Sequence, residues 1–171
     1  MRSQDLVLAS DALPAGTITK MEWHPSDHIL AGDYSKFRLK LCHTSVTALG
    51  TAFASNYAGR TPVQVYYRDP VHVAPAAEQW FGFPFDTDFE YNGADNLLVE
   101  VWWEEDTEGY VNTYIRKLDR RGLFSCVRYG RPESGYPDAG ELMNYLHHMR
   151  LTIEGVSVSP ASLGRVKALY R

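Results

Sequence analysis

Apolar and polar residues alternate in short runs along most of this chain, and a period of two is the mark of a strand with one buried face. In "TITKMEW" Thr19, Met21 and Trp23 share one side, while Lys20 and Glu22 share the other. "KFRLKLCH" sets Phe37, Leu39 and Leu41 inward against Arg38 and Lys40. "PVQVYYRD" sets Val63, Val65 and Tyr67 against Gln64, Tyr66 and Arg68. "NLLVEVWWE" sets Leu97, Val99, Val101 and Trp103 against Leu98, Glu100, Trp102 and Glu104. "HMRLTIEG" sets Met149, Leu151 and Ile153 against Arg150, Thr152 and Glu154. Between these runs stand "HPSDH", "NYAGRTP", "YNGADN" and "RPESGYPDAG", rich in residues that accept tight or left-handed backbone. Short strands at this spacing predict an all-β fold, an antiparallel β-sandwich of jelly-roll type. One stretch, "DAGELMNYLHHMR", also carries helical spacing at Leu142, Tyr145, Leu146 and Met149; the alternation in "MRLTIEG" favours a strand for its second half.

A length of 171 residues suits one domain with a core of its own. The strands place that domain at 15–155, between an N-terminal flank, 1–14, and a C-terminal tail or docking strand, 156–171. Both flanks carry apolar residues, which suit either docking on their own domain or pairing with the sheet edge of another subunit.

Hydrophobic residues make up 44% and charged residues 22%, ordinary globular usage, while an aromatic share of 13% leans towards β-structure. A net charge of −4 argues against nucleic acid as a partner, since neutralising phosphates needs a basic surface. "RKLDRRG", the densest basic cluster, reads as a solvated strand end. No apolar run is long enough to span a membrane. The start lacks the apolar stretch of a secretory signal, which fits either a cytosolic protein or one whose signal has been removed. Two cysteines, Cys42 and Cys126, fit one disulfide or two free thiols, and both have the parity of outward residues.

The densest chemistry lies in "FPFDTDFEYNGADNLLVEVWWEEDTEG", Phe83 to Gly109. An EF-hand reading places Glu90, Asn92 and Gly93 at loop positions three, five and six after Asp88, but Val99 falls where the bidentate glutamate belongs. A less regular calcium site from Asp86, Asp88 and Asp95 remains as an expectation. Glu104, Glu105, Asp106 and Glu108 crowd a polar turn, without the contrasting environments that a glycosidase pair needs. "YNGADN" reads as a corner of the sandwich, with Asn92-Gly93 supplying positive φ. Neighbouring strand residues face opposite ways, so Trp103 belongs to the core and Trp102 to the outside with Glu100. An outward indole is either a covered packing residue or a sugar-stacking one, and the second reading gives it Tyr66 or Tyr114 as partner and Glu100 for a hydroxyl.

His24 and His28 have a helical metal-ligand spacing, but Pro25 argues against a helix there. His147 and His148 should face opposite sides of a strand. No G-x-S-x-G elbow, Rossmann fingerprint or P-loop is present, so no catalytic residue is expected. A hydrolase would need a carboxylate pair whose perturbation a sequence does not display.

Three passages, "AGTITKMEW", "YSKFRLKLCHTS" and "WFGFPFDTDFEYNGADNLLVEVWW", resemble the β-sandwich, jelly-roll-like modules of secreted and cell-surface bacterial proteins, many associated with type IX secretion. Trp80, Pro84, Phe85, Tyr91, Gly93, Asn96, Leu97 and Val99 match the pattern W…PFxYxGxxNLxVxV, and "YLHHMRLTI" resembles the closing strand. The resemblance implies a non-catalytic extracellular module for structure, adhesion or surface assembly, with other subunits or surface components as partners. A carbohydrate-binding module is the alternative function.

Overall fold

The computed structural model describes residues 1–11, 13–27, 30–105, 115–119, 125–128 and 138–155. Every strand pairing among them is antiparallel. The strands are β1 (Arg2–Val7), β2 (Gly16–Trp23), β3 (Gly32–Thr44), β4 (Val63–Arg68), β5 (Val71–Val73) and β6 (Phe81–Tyr91). They continue as β7 (Asn96–Glu105), β8 (Lys117–Asp119), β9 (Ser125–Arg128), β10 (Glu141–Met143), β11 (Tyr145–His147) and β12 (Met149–Glu154). A seven-stranded sheet runs β10-β9-β1-β7-β3-β4, with β5 beside β3; a three-stranded sheet runs β12-β2-β6, and β11 pairs with β8. The all-β sandwich expected from the alternation is the architecture observed. No helix among the described residues is long and apolar enough to cross a membrane.

The main core lies between the two larger sheets. Leu39 and Leu41 of β3 and Leu97, Val99 and Val101 of β7 meet Ile18, Met21 and Trp23 of β2 and Phe89 of β6. A second, smaller core forms on the other face of the seven-stranded sheet, where Leu49 and Phe53 cover Leu6, Cys42, Leu98 and Cys126. Phe53 belongs to a one-turn 3₁₀ helix, Phe53–Tyr57, inside the long connection between β3 and β4. This segment covers part of a face that alternation alone assigns to solvent.

"YNGADN" is the corner it was read to be. β6 belongs to the smaller sheet and β7 to the larger, so the chain changes layer between Tyr91 and Asn96. Gly93 has φ +69 and lies so close to Ala15 that a Cβ would sit 2.8 Å from its nitrogen. Asn92 Oδ1 accepts from the nitrogens of Ala94 and Asp95, which closes the turn.

Four readings are corrected. The flank 1–14 is not peripheral: Arg2–Val7 is an interior strand between β7 and β9, and Leu13 packs on the main core. The helical spacing of "ELMNYLHHM" is overridden, because β10, β11 and β12 occupy it as three short strands. Parity fails at two register shifts, since one extra residue turns every later side chain to the opposite face. At the first, between Ile18 and Lys20, Ile18 enters the core and Thr19 is half-buried. At the second Val65 is the extra residue, so Tyr66 is buried and Tyr67 is outward, the reverse of strict alternation. The fourth concerns the cysteines, which parity places outward and whose two readings, one disulfide or two free thiols, resolve to the second. Cys42 lies on β3 and Cys126 on β9 with two strands between them, roughly 14 Å at ordinary strand spacing, beyond the reach of a disulfide. Both are free and buried, and burial pushes both thiols up in pKa.

On β2, Glu22 faces Arg150 of β12 across the pair, with Arg150 Nε at 2.7 Å and Lys20 Nζ at 2.9 Å from its two oxygens. The Arg150 hydrogen bond, aided by Lys20 against the cost of burial, lowers the Glu22 pKa from 4.5 to about 2. A depressed carboxylate pKa contributes stability that is fully present above 4.5 and lost as pH falls towards 2. Because both cations are well exposed, screening reduces the contribution to about 1–2 kcal/mol. Acid titration of unfolding free energy should therefore be shallower for Glu22→Gln than for the parent between pH 4.5 and 2. Parallel curves over that window would remove Glu22 as a source of the acid dependence.

Candidate functional site

Two places gather chemistry. The first lies on the outer face of the seven-stranded sheet, where β1, β7 and β3 put Arg2, Trp102 and Arg38 in one row and Gln4, Glu100 and Lys40 in the next. Antiparallel partners point to the same side, so six side chains from three strands converge. Glu100 is 1% exposed. Its Oε2 accepts from Arg2 Nε and Nη2 at 3.0 and 2.7 Å, from Gln4 Nε2 at 2.9 Å and from Tyr57 Oη at 2.6 Å. Its Oε1 has no hydrogen bond and lies 3.7 Å from Lys40 Nζ. Burial and the neighbouring carboxylate hold the Tyr57 phenol well above its usual pKa, so it remains a donor. Asn56 ties this network to the covering segment, donating to Gln4 Oε1 at 2.9 Å and to the Gly50 carbonyl at 3.0 Å.

Trp102 is half-buried above this network, in contact with three cations. The Arg38 guanidinium stands 4.1 Å from its ring centre, Arg2 at 5.5 Å and Lys40 Nζ at 5.8 Å. Arg38 also lies 5.7 Å from the ring of Tyr67, which is 39% exposed. Tyr67, Arg38, Trp102 and Arg2 thus form a ladder of alternating rings and guanidiniums along one sheet face, with cation–π attraction at each step.

Of the residues read as a glycan face, Trp102 and Glu100 do share this face, but Glu100 is buried beneath it and is already hydrogen-bonded. Tyr66 is not there. The extra residue at Val65 turns it into the core, where its ring lies 4.7 Å from Phe83 and 6.1 Å from Phe37. Tyr67 stands in its place. Tyr114 lies outside the described residues. Arg38 and Lys40 are outward by alternation, as Trp102 and Glu100 are, and pair with them across β3 and β7, so their outward position is the signal that marks them. Nothing in the sequence links Arg2, since the N-terminal stretch shows no strand alternation of the usual kind.

The residues proposed for calcium are dispersed. Asp86 binds Arg68 at 2.7 Å, with the Arg68 hydrogen bond holding its pKa down; Asp95 lies 3.1 Å from Arg60. Asp88 is exposed on β6. No group of three or more His, Cys, Asp or Glu among the described residues is arranged to hold a metal ion. His28 lies outside the described residues, and His24 stacks on His148 at 5.3 Å beside Trp80. Burial, reinforced by His24 and Arg116, lowers the His148 pKa.

The second place is an aromatic pocket of about 80 Å³ between the sheets, lined by Trp23, Tyr34, Phe83 and Trp103 and also by His147 and Asp5. Asp5 is 1% exposed, and its two oxygens lie 3.0 and 2.9 Å from His147 Nδ1. Ser125 Oγ donates to Asp5 Oδ1 at 2.9 Å. The residue types of a hydrolase triad therefore meet, but in an order that does not activate the serine. Its hydroxyl is spent on the carboxylate, whereas nucleophilic catalysis needs it on the imidazole. The group does fix β11 against β1. No sequence spacing announces it, because Asp5 and His147 are 142 positions apart.

Comparison of the chain with protein families, with curated proteins and with solved structures finds no match in any of the three.

Proposed function

We propose that this chain is a non-catalytic β-sandwich module that adheres to polysaccharide through the outer face of its larger sheet. One observation carries the reading: Trp102 and exposed Tyr67 lie on the same sheet face, with Arg38 between them and side-chain donors beside them. Flat aromatic surface and fixed polar groups are what a sugar chain requires, and a sheet face presents them without a conformational change. The non-catalytic reading is supported by the Ser125–Asp5–His147 order and by the saturation of Glu100 Oε2 with four donor contacts. Placement on a cell surface rests on the likeness of the passages now found in β2, β3, β6 and β7 to secreted modules. A structural or assembly role is the companion of adhesion here, since such modules display a binding face.

The test is retention of the protein on a panel of immobilised neutral and acidic polysaccharides, with intrinsic tryptophan fluorescence as the second readout. Trp102→Ala and Tyr67→Ala should each lower affinity about tenfold, the loss of roughly one aromatic contact. Silence of the parent protein across the panel, or unchanged retention of both variants, would overturn the reading.

A further inference from the structure

Charges on the Trp102 face do not balance. Arg2 is held by the buried Glu100 through two nitrogens, which accounts for one cation and one anion. Lys40 is the second cation near that same carboxylate, at 3.7 Å and without a hydrogen bond. Arg38 donates through Nε to the Lys36 carbonyl, a neutral acceptor, and no described carboxylate pairs with it. Among the described residues, two positive charges thus remain in surplus at Trp102. Further along β3 the surplus ends, because Lys36 is paired with Glu104 at 2.8 Å and its backbone nitrogen bonds Asp69.

Resting on the proposed polysaccharide face, we infer that its ligand is an acidic polysaccharide and that Arg38, with Lys40 alongside, takes a uronic acid carboxylate. Three features select this chemistry. Arg38 is held between Trp102 at 4.1 Å and Tyr67 at 5.7 Å with its Nε on the Lys36 carbonyl, and a guanidinium fork suits the two oxygens of a carboxylate. The surplus is small and bounded by acid residues, which fits a chain with one charge per sugar. It does not fit nucleic acid, whose duplex carries one charge per roughly 1.7 Å and whose binding needs an extended basic surface. Finally, exposed Tyr67, half-buried Trp102 and Gln64 beside Lys40 in register offer a sugar apolar and hydrogen-bonding contacts that a bare anion site would not need.

The experiment uses the whole chain against polygalacturonate, alginate and hyaluronate, each beside its carboxyl-reduced form, with poly-glutamate and duplex DNA as other polyanions. At least one acidic polysaccharide should bind about tenfold tighter than its reduced form, and more weakly as salt rises. Arg38→Gln should abolish that preference, and Arg38→Lys should keep part of it, because the charge stays and the fork is lost. Arg38 holds no described carboxylate, so circular dichroism of both variants should match the parent and melting should fall by no more than about 5 °C, the loss of its ring contacts and one neutral hydrogen bond. Equal binding of acidic and reduced forms overturns this inference and leaves polysaccharide adhesion standing, whereas no polysaccharide binding overturns both. Retention of poly-glutamate or DNA as strong as that of the best polysaccharide would make the face a general anion site and also overturn it.

Discussion

Glu100→Ala should be the most damaging single side-chain change on the outer face, lowering stability by about 3–5 kcal/mol. The carboxylate is the common acceptor for Arg2, Gln4 and Tyr57 and the counter-charge for Lys40. Its removal leaves two part-buried cations facing each other, takes the acceptor from the Tyr57 hydroxyl and leaves Gln4 Nε2 with the Phe53 carbonyl alone. At a few degrees per kcal/mol for a chain of this size, the melting temperature should fall by roughly 10 °C. The matched double replacement Arg2→Leu with Glu100→Leu should recover much of that loss, since exchanging a buried pair for apolar side chains is often close to neutral. A Glu100→Ala protein that melts within about 2 °C of the parent, corresponding to under 1 kcal/mol, would show that the network does not anchor this face.

Gly82→Ala should cost about 3 kcal/mol or more, and for a different reason. A Cβ at Gly82 would stand 2.0 Å from the Met21 carbonyl oxygen and 2.5 Å from the Glu22 Cα. Both obstacles are backbone atoms of β2, the middle strand of the smaller sheet, so no rotamer change relieves the clash. β6 must move away from β2, and Phe81 and Phe83 move with it out of the main core. The urea midpoint is the measurement, with Gly50→Ala as control, since a Cβ there meets only the Asn56 side chain at 3.6 Å. If both variants unfold at the parent's midpoint, β2 and β6 are not held as closely as described.

The fold was legible wherever a strand had one wet face and an uninterrupted register. β7 is the clearest case: Leu97, Val99 and Val101 are core residues as their parity requires. It ceased to be legible where a strand is covered on both sides. Ser3, Gln4 and Asp5 are polar and all but fully buried, so β1 has no apolar alternation to read. Their burial is tolerated because Gln4 bonds Glu100 and Asp5 bonds Ser125 and His147, partners that only the tertiary fold supplies. The candidate site was half legible for the same reasons. Trp102 could be placed outward from its neighbours, whereas the exchange of Tyr66 for Tyr67 depends on a single extra residue whose position alternation does not mark. Glu100 was assigned to the wet face, because Phe53 and Tyr57 stand in a stretch without strand alternation and gave no sign that this stretch would close over it.

The interior position of β1 also dictates an order of events during synthesis. Gln4 and Glu100, on paired strands, are 96 positions apart, and the strand on the other side, β9, comes later still. β1 therefore leaves the ribosome well ahead of both of its neighbours and waits until β7, and then β9, has followed before its edges can be satisfied. Contacts of such long range make for slow folding, and an unpaired strand in the interval is open to the wrong neighbour. The polar, charged sequence "RSQD" is well suited to that wait: it stays hydrated until β7 and β9 arrive, where an apolar strand would already have aggregated.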